Sequence, residues 1–208
     1  MLVIIQARSS SRRFKNKVMF KIKDRPVIWY VYNSVKRSKL VKKIIIAISD
    51  KKADDKLANF LKKNKIKYFR GNLNNVAERM YKAAFKYKAN FFLRISGDSP
   101  LIEFKIIDRA IKIFKKNKSK YDLITNIFPR TFPSGQSVEI IKTSCLKKIL
   151  SLNLKKTFYE HVTRYFYQNN LKFKIKNFES TKKYLKNKYS IDTKKDLKNL
   201  HNLILKSL

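Results

Sequence analysis

Three short stretches carry the residues best suited to phosphate and metal chemistry: QARSSSRRFKNK at 6–17, SGDSP at 96–100 and SIDT at 190–193. The first sets Arg8, Arg12, Arg13, Lys15 and Lys17 among three serines, directly after an apolar run. A triphosphate needs backbone N–H groups, hydroxyls and several cations in a turn that follows a strand, and this stretch offers all of them. It is not a Walker loop, because the glycines and the GK[ST] ending are missing. Composition leaves two readings level, a triphosphate cradle and an exposed basic loop. Asp98 and Asp192 stand where carboxylates can hold Mg²⁺ on phosphate oxygens. Taken singly, Asp98 reads as a turn former and Asp192 as a helix-start carboxylate favoured by the helix dipole. A metal site requires the two to converge.

Other chemistries find little support. Cys145 is the only cysteine, so neither a cysteine-rich zinc set nor an internal disulfide framework can be built, and His161 and His201, the only histidines and far apart, argue against a histidine-based zinc site. No G-x-S-x-G elbow accompanies the histidines, which argues against a serine hydrolase. Cys145 reads as a small buried residue, and His201 as surface or packing.

The elements that must position these residues alternate. LVIIQ at 2–6 and KKIIIAIS at 42–49 read as buried strands, as do KYFR at 67–70, FFLRIS at 91–96 and YDLITNI at 121–127. Helices are expected from Pro26, from Asp50 to Asn64, after a cap at Asn72, and over EFKIIDRAIKIFKKN. This predicts an α/β fold with a mostly parallel sheet and right-handed crossovers. The loops at 7–24, 71–75, 97–101 and 128–136 then gather at the carboxyl edge of the strands, where such sheets bind ligands. Beyond residue 128 the pattern loosens. Weak strands are expected at 137–141 and 172–178, one helix over TFYEHVTRYFYQ, and a short strand at SIDT leading into a last helix. Thr193 and Asp196 have capping-box spacing for that helix. Residues 1–208 form one domain, with about 130–180 as an excursion for sugar binding or dimerisation.

The chain carries 51 basic and 14 acidic residues, a net charge of +37. The lysines are spread along the whole chain and travel with Ile, Asn, Phe and Tyr, as A/T-biased coding would give. Solvated helix faces explain them better than a nucleic-acid groove, although the charge favours polyanionic ligands at low salt. Only Gly71, Gly97 and Gly135 occur, so each is a candidate for a backbone position that needs glycine. No apolar run is long enough to cross a bilayer and the start does not read as a signal peptide. The expectation is a cytoplasmic protein.

IIQARSSSRRFKNKVMFKIKDRPVIWYV resembles the opening of the CMP-sugar synthetase-like cytidylyltransferases, most closely the spore-coat polysaccharide biosynthesis protein F group. RGNLNNVAERMYKAA, LRISGDSPLIEFKIIDRAI, NIFPRTFPSGQSVEII, EHVT and SIDTKKDL are similar to further blocks of that family in the same order. The resemblance implies a Rossmann-like three-layer α/β/α nucleotidyltransferase. It would transfer CMP from CTP to a sugar or sugar acid, with Mg²⁺, for surface polysaccharide or glycan. It places Arg13 and Lys17 on the phosphates, Arg8, Ser10 and Ser11 beside them, and Gln6 and Ala7 near the cytosine. Arg94 and Gly97 fall at the pocket wall, Asp98 and Asp192 on the metal. Gly135, Gln136, Glu139, Glu160 and His161 fall on the sugar side. Arg13, Lys17 and Asp98 are the residues expected to carry the chemistry, and a homodimer is expected by resemblance. The chain departs from the family pattern where two loop glycines become Ser10 and Asn16, a proline becomes Lys15, and an aspartate becomes Ser137. Two alternatives stand beside this: a different NTP or a sugar-phosphate acceptor on the same fold, and a non-enzymatic protein binding polyanions or nucleic acid.

Overall fold

Each apolar run is buried on both sides, and that dictates the layers. The computed structural model describes residues 1–11, 14–117, 120–181 and 187–206. The strands are β1 (Leu2–Gln6), β2 (Lys21–Ile22), β3 (Arg25–Pro26), β4 (Lys43–Ser49), β5 (Tyr68–Gly71), β6 (Phe91–Ser96), β7 (Leu123–Thr125), β8 (Glu139–Lys142) and β9 (Ile175–Asn177). The helices are α1 (Val27–Lys36), α2 (Asp55–Lys63), α3 (Val76–Lys86), α4 (Phe104–Lys116), α5 (Thr143–Leu150), α6 (Lys156–Glu160), α7 (Arg164–Gln168) and α8 (Lys194–Lys206). Seven strands form one sheet in the order β5-β4-β1-β6-β8-β7-β9. Among the described residues only β8 runs antiparallel to its neighbours, β6 and β7. β2 and β3 form a separate hairpin.

Alternation sorts the side chains. Val3, Ile5, Ile46 and Ile48 face α1, α2 and α4, where Val31, Leu57 and Ile107 complete the packing. Leu2, Ile4, Ile45 and Ala47 face the other way, onto Met80 of α3, Leu146 of α5 and Phe166 of α7. This is the three-layer α/β/α arrangement expected from the sequence. A third apolar cluster joins the two ends of the chain. Ile191 and the α8 residues Leu197, Leu200 and Ile204 pack on Phe14, Ile22, Val27 and Tyr30. That packing returns the SIDT segment to the strand edge where the chain began.

Several expected boundaries move, each for a local reason. The helix cap after β5 is Asn75, whose side chain accepts from the Glu78 N–H, while Asn72 accepts from the N–H groups of Asn74 and Asn75 and shapes the turn before it. The segment 50–54 is a turn and a short 3₁₀ helix leading into α2. The single helix expected at 157–168 breaks at His161, which leaves helical dihedrals at φ −103, ψ 86. The break lets Val162 enter the core. SIDT is not a strand; Ile191 instead donates its N–H to the Asp98 carbonyl at 2.9 Å. The Thr193–Asp196 cap forms reciprocally, with bonds of 3.2 and 2.9 Å. Partial burial raises the Asp196 pKa, but hydrogen bonds from Lys188 and the Asp192 and Thr193 backbone outweigh it and hold it at about 2. Cys145 is half-buried against Asp122, and burial and that carboxylate push its thiol up to about 11. Among the described residues no helix is long and apolar enough to cross a membrane.

Gly135 adopts φ +94, and a Cβ there would lie 2.4 Å from the Tyr189 carbonyl carbon. Gly135→Ala should therefore lower the unfolding free energy by at least roughly 1–3 kcal/mol, measured by urea denaturation. An unchanged midpoint would contradict the tight approach of the two segments.

Candidate active site

The site forms because β1, β6 and the returning C-terminal segment end at the same level of the sheet. β1 delivers Gln6, Ala7 and Arg8. β6 lies beside it in register, Gln6 opposite Ser96. At Gly97 the chain turns so close to β1 that a Cβ would stand 2.9 Å from the Gln6 carbonyl, which instead accepts the Gly97 N–H at 2.8 Å. Glycine at 97 thus serves this strand contact, and the turn lifts Asp98 over the sheet edge.

The basic loop is pinned from beneath. Asp54, fully buried, accepts the Ser9 N–H at 2.6 Å and the Ser49 N–H at 2.7 Å. The Ser9 carbonyl in turn receives the N–H groups of Ser11 and Asn16. Asn16 takes φ 58, the left-handed conformation that asparagine tolerates in place of glycine. After that turn Lys17 points back into the site.

The Lys17 ammonium contacts three oxygens: Asp98 Oδ2 at 2.5 Å, the Ile191 carbonyl at 2.8 Å and Asp192 Oδ1 at 3.2 Å. Its side chain is 12% exposed, and those of Asp98 and Asp192 are 20% and 21%. Ser96 and Ser99 hydroxyls also donate to Asp98, at 2.7 and 3.3 Å. Lys188 reaches the other oxygen of Asp192 at 3.2 Å. Two carboxylates distant in sequence are thus held side by side with cations between and beside them.

Two cavities meet at this pair. The first, about 340 Å³, is lined by Gln6, Ala7, Arg8, Ser11, Lys17, Asp98, Glu160, His161 and Asp192, with Val18 and Ser96. The second, about 300 Å³, includes Arg94, Asp98, Gly135, His161 and Asp192 with Arg130 and several hydroxyls. Ser96, Asp98, His161 and Asp192 border both. Arg8 bridges the first cavity to Glu160 at 2.6 Å, an exposed pair that is readily exchanged for another anion.

Four of the sequence candidates line neither cavity. Ser10 lies outside both, and Gly97 acts at the turn. Gln136 is buried, with its amide spent on the Leu101 carbonyl and the Glu103 N–H. Glu139 is buried behind Arg94, which it pairs with while accepting the Tyr167 hydroxyl. Arg94 also donates to the Gln6 side chain at 3.0 Å, so this network fixes the wall between the cavities. Burial and Glu139 push the Tyr167 phenol well above its usual pKa, keeping it a neutral donor. Arg13 lies outside the described residues.

Two further residues escaped sequence reasoning. Asp54 reads as one of the early acidic residues of the helix expected from Asp50 to Asn64, and nothing local marks it as the anchor of a loop far upstream. Arg79 of α3 is fully buried and donates to the Asn72 carbonyl at 2.6 Å, holding the β5–α3 loop. Burial and the nearby Arg8 charge lower its pKa to about 10, so it stays protonated.

Among the described residues no three His, Cys, Asp or Glu side chains group to hold a metal by themselves. Mg²⁺ commonly takes only one or two carboxylates and completes its shell with substrate phosphates and water, so the Asp98–Asp192 pair fits that ion.

A family model described as cytidylyltransferase matches residues 2–208. The chain is 35% identical over 198 residues to the uncharacterized protein MJ1063 of Methanocaldococcus jannaschii, spanning 94% of this chain and 79% of that one. It is 28% identical over 213 residues to the spore coat polysaccharide biosynthesis protein SpsF of Bacillus subtilis, spanning 99% and 87%. The structure of a cytidylyltransferase from Leptospira borgpetersenii superposes with a TM-score of 0.94 at 31% identity, covering 100% of this chain and 87% of that one.

Asp54→Ala leaves two buried N–H groups without their acceptor. It should cost roughly 2–4 kcal/mol of stability and weaken triphosphate binding as the loop loses its anchor. Calorimetric titration beside urea denaturation checks both, and full stability with full affinity would refute the anchoring role.

Proposed function

The chain belongs to the cytidylyltransferase family, and on that premise we propose that it transfers CMP from CTP to a sugar or sugar acid, releasing pyrophosphate, in the synthesis of a surface polysaccharide or glycan. It is a nucleotidyltransferase; the acceptor and the residue roles that follow are our reading. The observation that carries it is Lys17 set between Asp98 and Asp192 at the seam of two cavities.

The first cavity suits CTP. Gln6 and Ala7 end β1 where the base would lie, and Arg8, Ser11 and Lys17 offer cations and a hydroxyl to the phosphates. The second cavity suits the acceptor. The α-phosphorus then falls at the seam, beside Asp98, His161 and Asp192. A sugar hydroxyl entering from the second cavity attacks it, and pyrophosphate leaves on the side of the basic loop. Such a transfer depends on positioning and charge neutralisation more than on covalent help.

Asp98 and Asp192 would hold Mg²⁺, which when bound neutralises phosphate oxygens as a Lewis acid. A triphosphate gives the Lys17 ammonium new anionic partners. Its release from the two carboxylates then frees their oxygens in the same step that binds the nucleotide. Ser96 and Ser99 keep Asp98 oriented throughout.

Asp98→Asn keeps the shape and removes the charge. Mg²⁺-dependent pyrophosphate release from CTP should fall roughly 10²-fold or more with the fold intact by circular dichroism; an unchanged rate would remove Asp98 from the metal. Lys17→Ala should weaken CTP binding in calorimetric titration, and equal affinity would argue against its place on the phosphates. Among the four NTPs, CTP should be preferred with a panel of sugars and sugar acids. Release from ATP or GTP with CTP inert would overturn the nucleotide assignment.

A further inference from the structure

The sheet edge opposite the active site is lined with lysines. α1, α2, α3 and α4 each carry the chain back from the carboxyl ends of the strands to their amino ends, and each has lysine in its last turn. Lysine there suits the helix dipole. The dipole does not account for Lys42, Lys43 and Lys67, which stand where β4 and β5 begin.

Two cavities open on this edge. One, about 330 Å³, is bordered by Lys36, Lys42, Lys43, Lys65 and Lys67. The other, about 800 Å³, lies between the end of α3 and the start of α5, with Lys86, Lys88, Lys142 and Lys147 around Tyr81 and Phe85. The Lys43 ammonium sits over the Tyr87 ring at 4.8 Å, between the two. Asp108 stands behind Ser38 of the first wall, and Asp122 pairs with Lys142 of the second. Among the described residues no other of these lysines forms an ion pair, so most of the charge is unmatched. The cavities border β5, β4, β6 and β8, and the sheet spans roughly 20 Å from β5 to β8. Phe85, in the last turn of α3, is 69% exposed on this edge, its ring 6.0 Å from that of Tyr81.

The charge and the exposed ring together select the occupant. A second copy of the chain, at net +37, meets this face with like charge. A phosphate-bearing polymer neutralises the lysines but leaves Phe85 and the apolar cavity in water. An anionic bilayer answers both, because headgroup phosphates take the ammoniums while an aromatic ring enters the acyl boundary. The active-site cavities lie at the other edge and stay open to solution.

We propose that this edge is a docking face for an anionic lipid surface, with its lysines on the headgroups and Phe85 at the acyl boundary, so that the protein works as a peripheral membrane protein. The inference stands apart from the nucleotidyltransferase reading.

The test is co-sedimentation of the full chain with vesicles of phosphatidylcholine alone and of phosphatidylcholine mixed with phosphatidylglycerol. Binding is expected to the mixed vesicles only. Net charge alone draws the chain to any anionic surface, so position must be separated from charge. Lys86→Glu/Lys88→Glu/Lys147→Glu should weaken binding roughly 10²-fold. Lys51→Glu/Lys52→Glu/Lys56→Glu, the same charge change at the opposite edge, should weaken it far less. Phe85→Ser, at unchanged charge, should weaken it roughly tenfold. Circular dichroism and thermal unfolding verify that each variant is folded. No binding to the mixed vesicles, or equal loss in the two triple variants, overturns the proposal. Full affinity in Phe85→Ser overturns it as well. A DNA duplex or poly-glutamate held more tightly than the mixed vesicles, and lost in Lys86→Glu/Lys88→Glu/Lys147→Glu, assigns the face to another polyanion and defeats the lipid reading.

Discussion

Asp98 and Asp192 are like charges held at the same partly buried point, and the rest of the architecture serves that constraint. Two carboxylates so placed repel unless a cation lies between them. Lys17 supplies that cation, satisfying all three of its donors on Asp98, the Ile191 carbonyl and Asp192. On the proposed reading, the same pair receives a divalent ion once a triphosphate offers the lysine another partner. Stability and proposed catalysis therefore draw on one set of contacts.

Each part of the constellation has its own support. Asp98 is raised over the sheet edge by the close turn at Gly97. Asp192 is carried there by α8, whose Leu197, Leu200 and Ile204 pack on Phe14, Ile22 of β2 and Tyr30 of α1. Lys17 is aimed by a loop fastened to buried Asp54 and turned at Asn16. Remote packing thus sets a local charge arrangement, as a site on rigid elements requires. The second cavity is built from the break after α6 and the loop ahead of β8.

The sheet and its flanking helices were legible in the sequence because both faces are buried, which writes continuous apolar runs and clear amphipathic periods. The blocks around Lys17, Asp98 and Asp192 were legible because their residue types are few and their order matches a known family. What escaped depends on contacts between distant segments. Asp54 carries no local sign that its oxygens serve Ser9. The family resemblance implies Gln136 and Glu139 as sugar-side groups, yet their side chains turn into the protein. The expected helix through His161 had sound periodicity, and burial of Val162 overrode it. Asn16, a departure from the family's glycine, was explained by its left-handed backbone; Ser10, the other departure, lies outside both cavities.

The central claim is that Lys17, Asp98 and Asp192 form one site that passes from an internal ammonium to a metal–triphosphate. Mn²⁺ binding followed by electron paramagnetic resonance, with and without CTP, tests it most directly. The account predicts weak binding by the free protein, tight stoichiometric binding when CTP is present, and loss of the tight phase in Asp192→Asn. Mn²⁺ affinity that ignores CTP, or a tight phase that survives in that variant, would contradict it.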